Sequence, residues 1–128
     1  MPAPNDWLER SLWVLDVGHR GFAPVTWRDD LGLAGLAFAD PALAERHRDR
    51  LTRARPHATA ARRPRVRLLE LAGDDARARE EWLHAVLDAG AARVGFDVDP
   101  ERPDPAAFEL TGALLAEVLA HKRGLSCM

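Results

Sequence analysis

Residues 33–51 read LAGLAFADPALAERHRDRL, and this stretch decides the fold. Its first seven residues carry no charge, which is typical of a strand covered on both faces rather than one half exposed to water. Asp40 and Pro41 then predict a helix start, because the Asp40 carboxylate can accept first-turn amide hydrogens and proline sacrifices no hydrogen bond there. Residues spaced by about four form one inward stripe: Leu43, His47, Leu51 and Ala54.

Three strands are predicted up to that helix, and two further strands alternate with helices after it. The predicted strands are residues 12–17, 22–27, 33–39, 66–71 and 91–98. The predicted helices begin at Pro41, at Gly73-Asp74-Asp75 and at Asp104-Pro105, and the last runs to about Lys122. The order is β-β-β-α-β-α-β-α, with right-handed parallel crossovers expected between neighbouring strands. The predicted fold class is α/β (α+β), a single mixed five-stranded sheet packed with three helices.

Length and composition predict one domain over residues 1–128, with residues 1–10 as an arm and residues 124–128 as a frayed tail. The chain is 47% hydrophobic and 30% charged, which excludes a disordered protein. Neither a signal peptide nor a membrane-spanning run is recognisable, so a cytoplasmic protein is expected. The single cysteine, Cys127, excludes an internal disulfide and a cysteine metal cluster.

An arginine-rich segment is the first candidate site. Residues 46–67 contain nine arginines against one acid, Asp49, a local charge of +8. Such a segment could neutralise several phosphates of a nucleic acid or another phosphate ligand. It contains no aromatic residue for base stacking, and the alternative is a solvated helix face followed by a disordered loop. The candidate anion-binding residues are Arg53, Arg55, Arg62, Arg63 and Arg65.

Carboxylates at strand ends form the second candidate. Asp40, Asp97 and Asp99 lie at the ends of predicted strands, which border the ligand crevice of parallel sheets. They could hold a divalent cation for a hydrolase or act as acid and base. The alternative is that they cap turns and helices. The sequence has no GxSxG, HExxH, GxGxxG or P-loop pattern, so no catalytic residue, metal ligand or cofactor is assigned.

The tryptophans are the third candidate, because four of them occur in a small domain with no tyrosine. Trp13 and Trp82 are expected in the core. Trp7 and Trp27 lie beside charged residues and are the predicted interface anchors, since large rings bury much area at low entropic cost. They predict a homodimer or a complex with another protein.

Three segments, LWVLDV, LAFADPALAERHRDRL and DAGAARVGFDVDP, together resemble the N-terminal domain of the SseB-like family. Phe38-Ala39-Asp40 stands where members have a Phe-Thr-Asp strand end, and residues 90–100 match a glycine-led strand that runs into a proline turn. The resemblance implies an α/β domain without an assigned catalytic site, some members being linked to secretion. No functional residue is carried over from it.

Three hypotheses of function result. The first is a non-enzymatic protein-interaction module that uses Trp7 or Trp27. The alternative is nucleic-acid or phosphate-ligand binding through the basic segment. The third is a metal-dependent hydrolase on Asp97 and Asp99.

Overall fold

The structure is a computed structural model that describes residues 10–17, 21–53, 66–72, 76–99, 101–102 and 104–126, with side chains up to residue 121. These residues form six strands: β1 (Leu12–Asp16), β2 (Thr26–Asp29), β3 (Gly32–Phe38), β4 (Arg67–Leu71), β5 (Arg93–Phe96) and β6 (Phe108–Leu110). Three helices accompany them: α1 (Pro41–Arg53), α2 (Ala76–Asp88) and α3 (Thr111–Ser126). The predicted mixed sheet with three helices is confirmed, with six strands instead of five.

The extra strand lies where the last helix was expected to begin, so that prediction is wrong. Asp104 is an N-cap, because its Oδ1 accepts a hydrogen bond from Ala106 N at 2.9 Å. The element that it caps is a short 3-10 helix, Pro105–Ala107, and not the predicted α-helix. The chain then forms β6 antiparallel to β5. Helix α3 begins at Thr111, which donates from its N to Ala92 O and from Oγ1 to Ala91 O. Leu110, expected on the helix stripe, is consequently 63% exposed.

The strand order across the sheet is β4-β1-β3-β5-β6. β1 is antiparallel to both of its neighbours, so β3, β4 and β5 all run in the same direction. β2 pairs with the first half of β3, and β1 pairs with its second half along the same edge. The expectation that the first three strands form a meander is wrong, because β1 pairs directly with β3 and β4. An isolated bridge from Asp16 to Pro24 joins the end of β1 to the segment before β2.

The helical connections explain why α1 and α2 lie on opposite faces of the sheet. The connection through α1 passes over β1 to reach β4, and the connection through α2 returns in the other direction to β5. When two crossovers are both right-handed but move in opposite directions across the sheet, their helices must lie on opposite faces of it. The expectation that these helices join neighbouring strands is wrong, because β1 separates β3 from β4.

The core is divided by the sheet into two clusters, as strand alternation requires. The first cluster contains Leu12, Val14, Val94, Trp82 and Val86, and it is covered by α2 and α3. The second contains Leu15, Leu36, Phe38, Ala44 and Val98, and it is covered by α1 and the segment after β5. Trp82 is buried as predicted, whereas Trp13 is half-buried against the second cluster. Within the described ranges, no helix has the length and apolar character that crossing a membrane requires.

Candidate functional site

Helix α1 has two chemically different faces. Ala44 and His47 are buried against the sheet, where α1 packs on β1, β3 and β4. Arg46, Arg50 and Arg53 are exposed, and their spacing of four and three residues places them on one side of the helix. Positive side chains in the last turn also stabilise the negative end of a helix, so Arg50 and Arg53 favour α1 itself.

A groove runs between this side of α1 and the segment that follows β5. Four residues of α1 line it, and Glu101 lines it from the other side. The α1 residues are Arg46, Asp49, Arg50 and Arg53. Its volume is about 460 Å³, within the range of roughly 300–1,000 Å³ that small-molecule sites occupy. Among the described lining residues, three guanidinium groups and two carboxylates give a net charge of +1.

Within the described ranges, the arginines that line this groove are not paired with acidic side chains. An ion pair on α1 joins Arg48 Nη2 to Asp49 Oδ1 at 3.6 Å. Among the residues that the structure describes, Arg46, Arg50 and Arg53 form no salt bridge, although two carboxylates share the groove. The three guanidinium groups can therefore accept an anionic ligand without breaking an existing ion pair.

His47 connects the two sides of the groove from beneath. Its Nε2–H donates to Val98 O at 2.7 Å, joining α1 to the segment after β5. The imidazole is only 3% exposed, and its centroid lies 5.2 Å from Phe38 and 5.9 Å from Trp27. Burial lowers the pKa of His47 below its usual 6.5; the hydrogen bond to Val98 O opposes this effect. The ring is therefore neutral at neutral pH.

This buried imidazole predicts a loss of stability in mild acid. Below pH 6.5 the unfolded chain takes up a proton that the folded His47, with its lowered pKa, resists. The free energy of unfolding should then fall by up to about 1.4 kcal/mol per pH unit, until the folded pKa is reached. Urea unfolding from about pH 7 to about pH 5 measures this slope.

The control for this prediction is His47→Gln, in which the slope should be reduced relative to the wild type. Titration of Asp29 does not contribute to the slope above pH 5, because the pKa of Asp29 is lowered from 3.8, chiefly by its hydrogen bond to Arg93. The stability that Asp29 contributes is lost only as the pH falls through that lower value. Identical slopes in the two proteins would refute a buried neutral His47.

The strand-end carboxylates cap backbone amides. Asp97 Oδ1 accepts from Ala39 N at 3.0 Å and from Asp40 N at 3.3 Å, so it holds the exit of β3. Asp40 Oδ1 accepts from Ala42 N at 2.9 Å, which confirms its predicted role at the start of α1. Asp99 Oδ1 accepts from the N–H of a residue two positions on, at 2.9 Å.

The last predicted strand, residues 91–98, is shorter in the structure and does not reach Asp99. β5 ends at Phe96, and Asp97 takes a positive φ of 50°, which breaks the strand. Asp97 and Asp99 therefore do not lie along one strand face. Within the described ranges, no group of three or more His, Cys, Asp or Glu side chains is placed to hold a metal ion.

The tryptophan and loop-arginine candidates are only partly described. Trp27 is half-buried against the second core cluster, and its buried Nε1 has no hydrogen-bond partner. Much of this indole therefore serves packing rather than a partner surface. Of the predicted anion-binding residues, Arg53 lines the groove. The remaining candidates lie outside the described residues: Trp7, Arg55, Arg62, Arg63 and Arg65.

Four of the residues that line the groove were not selected as site residues from the sequence: Arg46, Asp49, Arg50 and Glu101. Arg46 and Arg50 belonged to the basic segment but were not selected, although their spacing from Arg53 was a usable signal. Glu101 lies far along the chain, inside the turn that Arg102 N closes by donating to Asp99 O, so no local pattern places it beside α1. The position of His47 in the inward stripe predicted its burial, but not its bond to Val98.

No protein-family model matches this chain, and no curated protein matches it. The resemblance to SseB-like domains therefore stays a prediction.

Proposed function

We propose that this chain is a binding protein for phosphate-bearing small molecules, with the groove beside α1 as its site. The observation that carries the proposal is the set of three guanidinium groups on one side of the groove, none in a salt bridge with another described residue. Guanidinium groups present a planar set of donors that matches phosphate oxygens, and such charge-assisted hydrogen bonds are stronger than neutral ones.

The two carboxylates in the groove restrict the ligand further. Asp49 and Glu101 repel additional phosphates but can accept hydrogen bonds from hydroxyl or amino groups. A compact ligand that combines phosphate with hydroxyl groups, such as a nucleotide or a sugar phosphate, fits both sets of side chains. A long polyanion gains less here, because it meets the carboxylates as well as the arginines.

Charge reversal at Arg50 tests this proposal. Calorimetry with adenosine monophosphate should show binding to the wild type, and Arg50→Glu should weaken it at least about tenfold, because one charged hydrogen bond contributes roughly 1.5–3 kcal/mol. The matched control is Arg77→Glu on the opposite face of the sheet, where the side chain is 83% exposed. That variant should bind within about twofold of the wild type. Equal weakening in both variants, or no binding to the wild type, would refute the proposal.

Nucleic acid is the competing ligand, and a salt series distinguishes it. A labelled single-stranded oligonucleotide bound through several phosphates would lose affinity steeply with salt, and each lost contact would reduce the slope by about 0.7. The proposed groove predicts weak oligonucleotide binding with a shallow slope. A steep slope that decreases in Arg50→Glu would assign the basic side of α1 to nucleic acid instead.

A further inference from the structure

His47 lies directly behind the basic lining of the groove. It follows Arg46 in sequence and precedes Arg50 by less than one helical turn, while its ring faces the core. Its hydrogen bond to Val98 O, 2.7 Å long, reaches the segment that carries Glu101. A change in the charge of this ring therefore changes the electrostatic potential at both sides of the groove.

We propose that anion binding in the groove is coupled to protonation of His47, so that the groove binds its ligand more tightly in mild acid. This inference rests on the proposed function, since it assigns a regulatory group to the same site. The proton would be taken up at Nδ1, because Nε2–H already donates to Val98 O and keeps that bond in either state.

The charges around His47 give the sign of the coupling. From α1, Arg46 and Arg50 disfavour a positive ring, and from the segment after β5, Asp99 favours it. The elements β2 and β3 contribute the aromatic rings of Trp27 and Phe38, which carry no charge. Burial of the ring, which is 3% exposed, is the largest influence and also disfavours the imidazolium.

A bound dianion would reverse this balance. It would neutralise Arg46 and Arg50 and place negative charge near the ring, so the imidazolium would become more favourable. Linkage is reciprocal: the factor by which the ligand favours protonation equals the factor by which protonation raises ligand affinity. Burial and, to a lesser extent, Arg50 and Arg46 lower the pKa of His47, and a dianion bound beside these arginines should raise it.

Inorganic sulfate is the appropriate probe, because phosphate monoesters themselves titrate near pH 6 whereas sulfate keeps its charge. Between about pH 7.5 and about pH 5.5 its affinity should rise about fivefold, the low end of typical coupling. Proton NMR titration of the wild type should show the pKa of His47 higher by about 0.7 with saturating sulfate than without it. This second measurement needs no variant.

Two substitutions assign the effect. His47→Gln should bind sulfate with little pH dependence, whereas His84→Gln, at an exposed position on α2, should retain the wild-type response. No sulfate binding at either pH would count against the groove itself. Binding that is equal at both pH values, with an unchanged His47 titration, would overturn the coupling and leave the groove intact. A full pH response in His47→Gln would also overturn it.

Discussion

Replacement of Arg79 by alanine is expected to lower the free energy of unfolding by about 3 kcal/mol. Arg79 is 1% exposed although it carries a charge, and its Nη2 donates to Arg10 O and to Ala72 O. These carbonyls lie just outside the paired ends of β1 and β4, where Leu12 faces Leu71. Alanine would remove the donors, leave the carbonyls less satisfied and open a cavity beneath α2.

The matched control is Arg77→Ala, two residues earlier on the same helix. The Arg77 side chain is 83% exposed and pairs with Glu81 across one turn, so its removal should cost less than about 0.5 kcal/mol. Urea unfolding of the three proteins, followed by tryptophan fluorescence, gives both values. A similar loss in both variants would contradict a special contribution of the buried Arg79 guanidinium, since alanine has the higher helix propensity at both positions.

Gly95→Ala is expected to destabilise the protein by about 2 kcal/mol, because the position has no room for a methyl group. A Cβ at Gly95 would lie 2.5 Å from Val98 Cγ2 and 2.8 Å from Phe108 Cε1. Val98 is fully buried, and the Phe108 ring is held beneath the Arg93 guanidinium at 4.9 Å. Neither side chain can move aside without disturbing the second core cluster or the pairing of β5 with β6.

Gly112→Ala is the control, and it should have the opposite sign. A Cβ at Gly112 meets no atom within 4 Å, and the residue lies in the first turn of α3. Alanine there should raise the free energy of unfolding by roughly 0.5–1 kcal/mol, since it limits the unfolded chain and favours the helix. The same urea experiment measures both glycine variants. A neutral Gly95→Ala would show that Phe108 is not fixed over β5.

The local patterns of the chain were sufficient for most of the fold. Uncharged runs, or runs that alternate apolar and polar residues, predicted five of the six strands. The Asp40-Pro41 pair predicted the start of α1. Gly90 ends the α2 region with a φ of 88°, as a helix C-terminal glycine should. These signals are readable because they depend on residues within one or two turns of each other.

β6 could not be predicted in this way. Phe108 and Leu110 satisfy a helical stripe as well as a strand pattern, and three residues are too few to distinguish the two. Residues 108–110 form a strand because β5 offers an edge with which they can pair, and because Gly95 leaves room for the Phe108 ring. Both are properties of another part of the chain.

Some features of the candidate site also follow from local sequence patterns, and others depend on contacts between distant parts of the chain. The sequence by itself determined that α1 would present arginines outward and bury His47, because charge and hydropathy repeat with the helical period. Only the tertiary structure decided that Glu101 lies across from Arg50 and that His47 bonds to Val98 O, since those residues meet through the return of the chain after β5. Helical periodicity fixes which way a side chain faces, but the opposite side of a groove depends on long-range packing, which no local pattern encodes.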